Sequence, residues 1–347
     1  MPEQDPYDAL LVVSFGGPEA PQDVMPFLRR VVQGRGVPDE RLAAVAEHYH
    51  ALGGKSPIND QCRDLIAALG SELQRADIGL PIYWGNRNWD PLLVDTLETM
   101  RDDGVRHALA YVTSAFSSYS GCRQYLENIE AARAQLGPDA PRVSKLRGFF
   151  NHPRFVELMA ERVRDALAEL PEDARERARL VFTAHSIPNA MAAGCAYQAQ
   201  LSETAALVTE ALGRSQYDLA YQSRSGPPQV PWLEPDILDH LRALAGQGVR
   251  DVVVLPLGFV SDHMEVVWDL DHEARELAAN LGLRLARAAT AGSHPLFVTM
   301  LRELVEERLG RRKGRASLGV LGALPDSCRD ACCAYTPRRP GPSVEQR

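Results

Sequence analysis

No apolar run in this 347-residue chain reaches the ~18 residues needed to cross a bilayer. The start, Met1-Pro-Glu-Gln-Asp-Pro, lacks the basic and apolar segments of a secretory leader. A cytoplasmic protein with no membrane span is therefore expected. Basic charge is also short: 38 Lys and Arg stand against 46 Asp and Glu, for a net charge of −8. Without a basic stripe to neutralise a phosphate backbone, no nucleic-acid partner is expected. Neither G-x-G-x-x-G nor a Walker A sequence occurs, and H-E-x-x-H is missing too, which sets aside dinucleotide, P-loop and zinc-peptidase chemistry. Cysteine is sparse, six in all, and in a large cytoplasmic chain that predicts free thiols or metal ligands in preference to disulfides. The thiols are unevenly spread. Cys62 and Cys195 stand alone, Cys122 opens a helical stretch, and Cys328, Cys332 and Cys333 cluster in a Pro-rich tail after the basic run Arg311-Arg-Lys-Gly-Arg315. Incidental thiols in an unstructured tail are one reading; ligation of a metal or cluster is favoured.

What is present begins with the run Leu180-Val-Phe-Thr-Ala-His-Ser-Ile-Pro188. A short apolar stretch closed by a turn reads as a buried parallel strand, and the carboxyl ends of such strands are where open α/β sheets bind ligands. His185 is thereby placed at a site mouth, although a lone histidine at a strand end is ordinarily structural.

Four segments of the first half recur in order in the second. Leu11 to Pro18 aligns with Val181 to Pro188, setting Phe15 against His185. Tyr83-Trp-Gly-Asn-Arg87 matches Ala220-Tyr-Gln-Ser-Arg224, each followed by Pro and Trp. Gly104-Val-Arg106 matches Gly248-Val-Arg250, each leading into a strand. His152-Pro-Arg-Phe-Val156 matches His294-Pro-Leu-Phe-Val298. Fixed-order self-similarity signals a duplicated unit. Amphipathic helical stretches over Asp60 to Arg75, Cys122 to Leu136, Phe155 to Leu170 and Leu296 to Leu309 lie between the strands. Alternating strand and helix predicts parallel sheets covered on both faces. The expectation is two similar Rossmann-like domains, 1–172 and 178–312, joined near Pro171-Glu-Asp, followed by a tail over 313–347. Facing halves would enclose a cleft, with Phe15 and His185 on opposite walls.

A second dense tract places Asp262, His263, Glu265, Asp269, Asp271 and His272 together after a β-rich run. At helical spacing Asp262, Glu265, Asp269 and His272 form one polar stripe, while Met264, Val267, Trp268 and Asp271 take other faces. Such a stripe is usually a solvated surface. Following a strand end beside His185, it instead suits divalent-metal handling or proton transfer.

Five tracts now combine: Ser14-Phe-Gly-Gly-Pro-Glu19; Gly53-Gly-Lys-Ser-Pro-Ile58; Leu180 to Pro188 with Gly194-Cys-Ala-Tyr197; Gln222-Ser-Arg-Ser-Gly-Pro-Pro with Pro231-Trp-Leu-Glu-Pro-Asp236; and Gly258-Phe-Val-Ser-Asp-His-Met-Glu265. Together they resemble the ferrochelatase family, over about residues 8 to 312. The resemblance implies an α/β, type II chelatase-like fold: two similar Rossmann-like domains, their parallel sheets flanked by helices, around a porphyrin cleft. It also implies a lyase of haem biosynthesis that inserts Fe(II) into a porphyrin, coproporphyrin III, giving coproheme.

By motif, the resemblance makes His185 and Glu265 the catalytic and metal-site pair, with Phe15, Ser56 and Tyr125 contacting the tetrapyrrole. Phe15 stands where some relatives place an iron-ligating tyrosine; phenylalanine cannot ligate and packs on the ring. Arg29, Arg30, Arg35 and Tyr49 are candidates for the propionates or plain surface residues. Cys122, Cys328, Cys332 and Cys333 match the count of the two-iron two-sulfur cluster found in many actinobacterial and animal members, although the adjacent Cys332-Cys333 departs from the wider spacing of the family. Cys195 and Cys62 read as structural thiols. The expected partners are the porphyrin and, transiently, a downstream coproheme decarboxylase, with the chain monomeric. A protoporphyrin IX chelatase, a chelatase for another tetrapyrrole or metal, and a non-catalytic porphyrin or haem carrier are the alternatives.

Overall fold

The computed structural model describes residues 7–34, 36–226, 229–329 and 331–336; the propionate candidate Arg35 lies outside them. The first sheet holds β1 (Ala9–Ser14), β2 (Ile82–Asn86), β3 (His107–Val112) and β4 (Arg142–Lys145) in the order β2-β1-β3-β4. The second holds β5 (Arg179–His185), β6 (Asp218–Gln222), β7 (Asp251–Leu255) and β8 (Arg284–Arg287) in the matching order β6-β5-β7-β8. Every pairing is parallel. The two parallel sheets flanked by helices that the sequence predicts are therefore present, with one topology used twice.

In chain order the helices are α1 (Val24–Val31), α2 (Asp39–Ala51), α3 (Ile58–Arg75), α4 (Leu93–Asp102), α5 (Gln124–Leu136), α6 (Pro153–Ala168) and α7 (Glu172–Arg175). Then come α8 (Asn189–Ala192), α9 (Tyr197–Ala211), α10 (Ile237–Gly246), α11 (Met264–Val266), α12 (Arg275–Asn280) and α13 (Pro295–Arg308). π-helical turns over Tyr119–Arg123 and Val267–Ala274 lead into α5 and α12.

Alternation along the strands sorts the apolar side chains onto two faces. Ala9, Leu11 and Val13 point to a layer with Leu97 of α4 and Ile129 of α5, while Val181, Val252 and Val254 point to its counterpart with Leu241 of α10. The opposite faces, with Leu10 and Val12 from one sheet and Leu180, Phe182 and Val253 from the other, share a single continuous core. Ile58, Cys62, Leu65, Leu69 and Leu73 line the buried stripe of α3.

The repeated His-Pro pair explains how the halves lock. In each copy proline opens a helix and the histidine Nδ1 caps it, His152 accepting from Arg154 N and His294 from Leu296 N, both at 3.3 Å. The other ring nitrogens cross over: His152 Nε2 lies 3.5 Å from Glu303 of α13, and His294 Nε2 lies 3.4 Å from Glu161 of α6. Accordingly α6, which precedes the expected boundary near 172, packs on α9, β7 and β8 of the second half, and α13 packs on α3 of the first. Nearby, the buried Arg147 and Glu307 form a two-pronged pair at 2.8 and 2.9 Å, and Arg147 Nη2 also donates to the carbonyl of Ala316, at 2.9 Å. The tail segment around Ala316 is thus held to both halves.

Candidate active site

His185 is the last residue of β5, where the strand leaves the sheet. The turn is held by Ser186 N donating to Gln222 O at 2.8 Å and by the Tyr197 hydroxyl donating to His185 O at 3.0 Å. Beside it runs the segment joining β7 to α11. Its Gly258 lies so close to β5 that a Cβ there would stand 2.6 Å from Ala184 Cβ, so only glycine permits this approach. The segment delivers Glu265, whose Oε2 lies 3.6 Å from His185 Nε2.

Hydrogen bonding decides the tautomer. His185 Nδ1 lies against the Ser186 carbonyl, which can only accept, so Nδ1 carries a proton and Nε2 faces Glu265. Burial favours a neutral imidazole, but the Glu265 carboxylate, the Ser186 carbonyl and Asp269 outweigh it and hold the His185 pKa above its ordinary value. Burial likewise opposes charge on Glu265, yet His185 and His263 hold its pKa down to about 2. Half of the Glu265 side chain remains accessible, so cleft water screens the pair.

Behind the pair, Asp269 sits near Glu265 and Glu273, and burial with these neighbouring carboxylates raises its pKa to about 7. It accepts from Gln222 Nε2 at 3.3 Å and bonds the hydroxyl of Ser223, a residue in the left-handed region with φ 60. The expected stripe needs correction at both ends. The π-helical turn widens the helix, so the acidic side chains surrounding Asp269 are Glu265 and Glu273, four residues to either side. Asp262 precedes the helix and pairs with Arg287, while His272 stacks on Trp268 with centroids 4.4 Å apart; Trp268 in turn stacks on His48 of α2 at 4.0 Å.

On the first half, Phe15 follows β1 and meets Phe27 edge-on at 6.2 Å. Tyr125 is buried on α5. Between their rings lies the guanidinium of Arg87, 5.6 Å from Phe15 and 4.5 Å from Tyr125, with Nε donating to Asn128 at 2.6 Å. Ser56 is buried against the backbone of Gly17, its N donating to Pro18 O at 2.9 Å. The propionate candidates differ in setting, Arg29 being the surface residue that was one of the two expectations. Arg29 is engaged by Asp39 at 2.7 Å, and Tyr49 is buried, with desolvation and the Glu265 charge raising its pKa. Arg30 lies over Trp89 at 5.8 Å. Arg87 belongs to the site's surroundings without having been singled out for that role, hinted at only by its match with Arg224 in the repeat, whereas Asp269 was expected in the proton-handling stripe and Tyr49 lies near Glu265 instead of among free propionate donors.

The tail brings its thiols back to the first half. All four thiols are free: Cys122 hydrogen-bonds with Cys328, Cys328 contacts Cys332, and Cys332 Sγ lies 3.7 Å from Cys333 Sγ. Contact with Cys328 and burial push the Cys122 thiol up, while Cys122 draws the Cys328 pKa down; burial and Cys332 push Cys333 up to about 12. A cavity of about 630 Å³ adjoins them, lined by Cys122, Lys145, Cys328 and Cys332 among others. Among the described residues no group of three or more His, Cys, Asp or Glu is gathered tightly enough to hold a metal ion, and no helix is long and apolar enough to cross a membrane. Cys62 is buried on α3, and Cys195 lies near Cys332.

A model of the ferrochelatase family matches residues 7–309. A protein of Rhodopirellula baltica named ferrochelatase is 53% identical over 98% of this chain and 97% of its own. The coproporphyrin III ferrochelatase of Mycolicibacterium smegmatis is 56% identical over 87% of this chain and 90% of its own, and that of Nocardia farcinica 53% over 96% and 98%. Among solved structures, SirB of Bacillus subtilis with Fe3+ superposes with a TM-score of 0.53 at 15% identity, covering 87% of this chain and 97% of that one. At that identity the likeness is one of fold.

Proposed function

The chain belongs to the ferrochelatase family of metal-inserting lyases, and from that premise we propose that it inserts Fe(II) into coproporphyrin III to give coproheme. The observation that carries the chemistry is the His185–Glu265 pair, with Nδ1 pinned and Nε2 turned to the carboxylate. Insertion exchanges two pyrrole N–H protons for one Fe2+, so the site must accept two protons beside a cation. Only the deprotonated form of His185 accepts at Nε2, so each pyrrole proton it takes, as an imidazolium stabilised by Glu265, must be passed on before it takes the next. Asp269, with a pKa of about 7, takes a proton onward at neutral pH. Glu265 also offsets the charge of the arriving iron. Phe15 packs on the macrocycle, and Arg87, held between Phe15 and Tyr125, supplies a cation for a propionate. The named relatives favour coproporphyrin over protoporphyrin IX.

We further propose that Cys122, Cys328, Cys332 and Cys333 hold a two-iron two-sulfur cluster. What supports this is the chain of pairwise contacts from Cys122 through Cys328 and Cys332 to Cys333, four thiols being the usual complement for such a centre, which the cluster would have to draw closer together than they stand here. The cluster would supply a tie between tail and first half; no step of insertion passes through it. The protein acts in the cytoplasm as a monomer and hands its product to a decarboxylase.

The test is anaerobic incubation of the purified protein with Fe(II) and either coproporphyrin III or protoporphyrin IX, followed by the visible spectrum. Preferential metallation of coproporphyrin is expected, with His185→Ala losing insertion but retaining porphyrin binding. Near-normal turnover by that variant, or a preference for protoporphyrin, would overturn the corresponding part of the reading.

A further inference from the structure

The first turn of α3 touches both halves of the molecule. Asn59, fully buried, donates from Nδ2 to the carbonyl of Gly17 at 3.0 Å and to Glu19 Oε1 at 2.9 Å. Gly17 lies two residues beyond Phe15. Two residues along the helix, Gln61 makes a reciprocal pair with the other half: Asp262 N donates to Gln61 Oε1 at 2.8 Å, and Gln61 Nε2 donates to Asp262 Oδ2 at 3.1 Å. Asp262 lies three residues before Glu265. Its carboxylate is held from its own half by Arg287 and by Thr290 Oγ1 at 3.2 Å, so the contact from α3 completes its anchoring.

We infer that Gln61 is a positioning residue for metal insertion, and that α3 sets the spacing between the segment carrying Phe15 and the segment carrying Glu265. The inference rests on the proposed activity. A primary amide suits the task because one end accepts from a backbone N–H while the other donates to a carboxylate. A glutamate at this position could accept but would face Asp262 with a second charge, and a methionine would fill the space with neither bond. Since Asn59 and Gln61 share one rigid turn, displacement of either segment relative to the other must break a hydrogen bond. Small displacements of reacting groups are costly in rate, which is where such a device acts.

The experiment compares wild type with Gln61→Met, Gln61→Glu and the exchanged pair Gln61→Glu/Asp262→Asn, in which carboxylate and amide change places. Amide hydrogen exchange at residue 262 reads the clamp without reference to activity. Steady-state kinetics with Fe(II) and coproporphyrin III read its consequence. For Gln61→Met, exchange at residue 262 should rise at least roughly tenfold and kcat should fall roughly tenfold to a hundredfold, with the porphyrin KM changed less than about twofold. The exchanged pair keeps both clamp hydrogen bonds but gives up the charge opposite Arg287, so it should recover more of kcat and of the protection than Gln61→Glu alone, which a merely structural loss would not permit. Unchanged kcat despite faster exchange, or an exchanged pair no better than Gln61→Glu alone, overturns the positioning role. A wild type that shows the protected amide but inserts no iron would instead count against the proposed function and leave the clamp standing.

Discussion

Replacing His152 by asparagine isolates one buried titration. His152 is inaccessible at the start of α6, and burial, with the neighbouring Arg147 cation adding to it, depresses its pKa from 6.5 to about 4; Glu303 and Glu307 oppose this without reversing it. The folded protein thus binds a proton less readily than the unfolded chain, and stability must rise with pH between those values. At ~1.4 kcal/mol per pH unit the depression is worth about 3 kcal/mol, fully present above pH 6.5 and lost progressively as pH falls toward 4. Asparagine retains an acceptor for the Arg154 N–H and cannot titrate, so it keeps the cap and removes the linkage. Urea unfolding followed by circular dichroism at about pH 7.5 and pH 4.5 is the assay. One core shared by both sheets makes a single transition the expectation. The stability difference between wild type and His152→Asn should move by about 2 to 3 kcal/mol between the two pH values, with wild type favoured at the higher one. Carboxylates elsewhere titrate alike in both proteins and cancel. A difference that stays constant to within about 0.5 kcal/mol would refute a neutral, desolvated imidazole at this position.

Glu265→Gln preserves shape and removes the charge, so metal insertion should slow at least roughly a hundredfold with porphyrin affinity intact; an unchanged single-turnover rate places the carboxylate outside the mechanism. If Asp269 accepts a proton from the pair, kcat/KM should rise with pH through about 7 as Asp269 and His185 both deprotonate, and Asp269→Asn should be slower with only the His185 limb left; an unchanged rate and profile would place Asp269 outside the relay. The cluster reading requires reddish-brown purified protein, with Cys328→Ser losing both the visible absorption and several degrees of melting temperature. A colourless, iron-free and fully stable wild type would show the four thiols to be incidental. Arg147→Met strands the buried Glu307 and should cost about 3–5 kcal/mol, whereas adding Glu307→Leu should restore much of it; equal losses in single and double variants would show that the charge pair is not what matters.

What the sequence determined by itself was local. Buried strands such as Leu180 to Ala184 are readable because both faces of a parallel sheet demand apolar side chains, and α3 is readable because its buried residues recur every three or four positions. The duplication was legible as well, down to the His-Pro helix starts, since the same backbone turn needs the same residues twice. So was His185 at a strand end. The partnerships were not. Glu303 lies 151 positions from His152 and Asp262 lies 201 from Gln61, separations over which no periodicity carries information. In the sequence Arg87 marked only the end of a repeated segment, and folding set it between the rings of Phe15 and Tyr125. The π-helical turn had no local signature, and it moved the acidic line from the helical spacing of Asp262 and His272 to Glu265, Asp269 and Glu273. Periodicity assigns a residue to a face of its own element. Only the packing of two sheets on one core decides what that face meets, and the proton affinities of His185, Glu265 and Asp269 follow from those meetings.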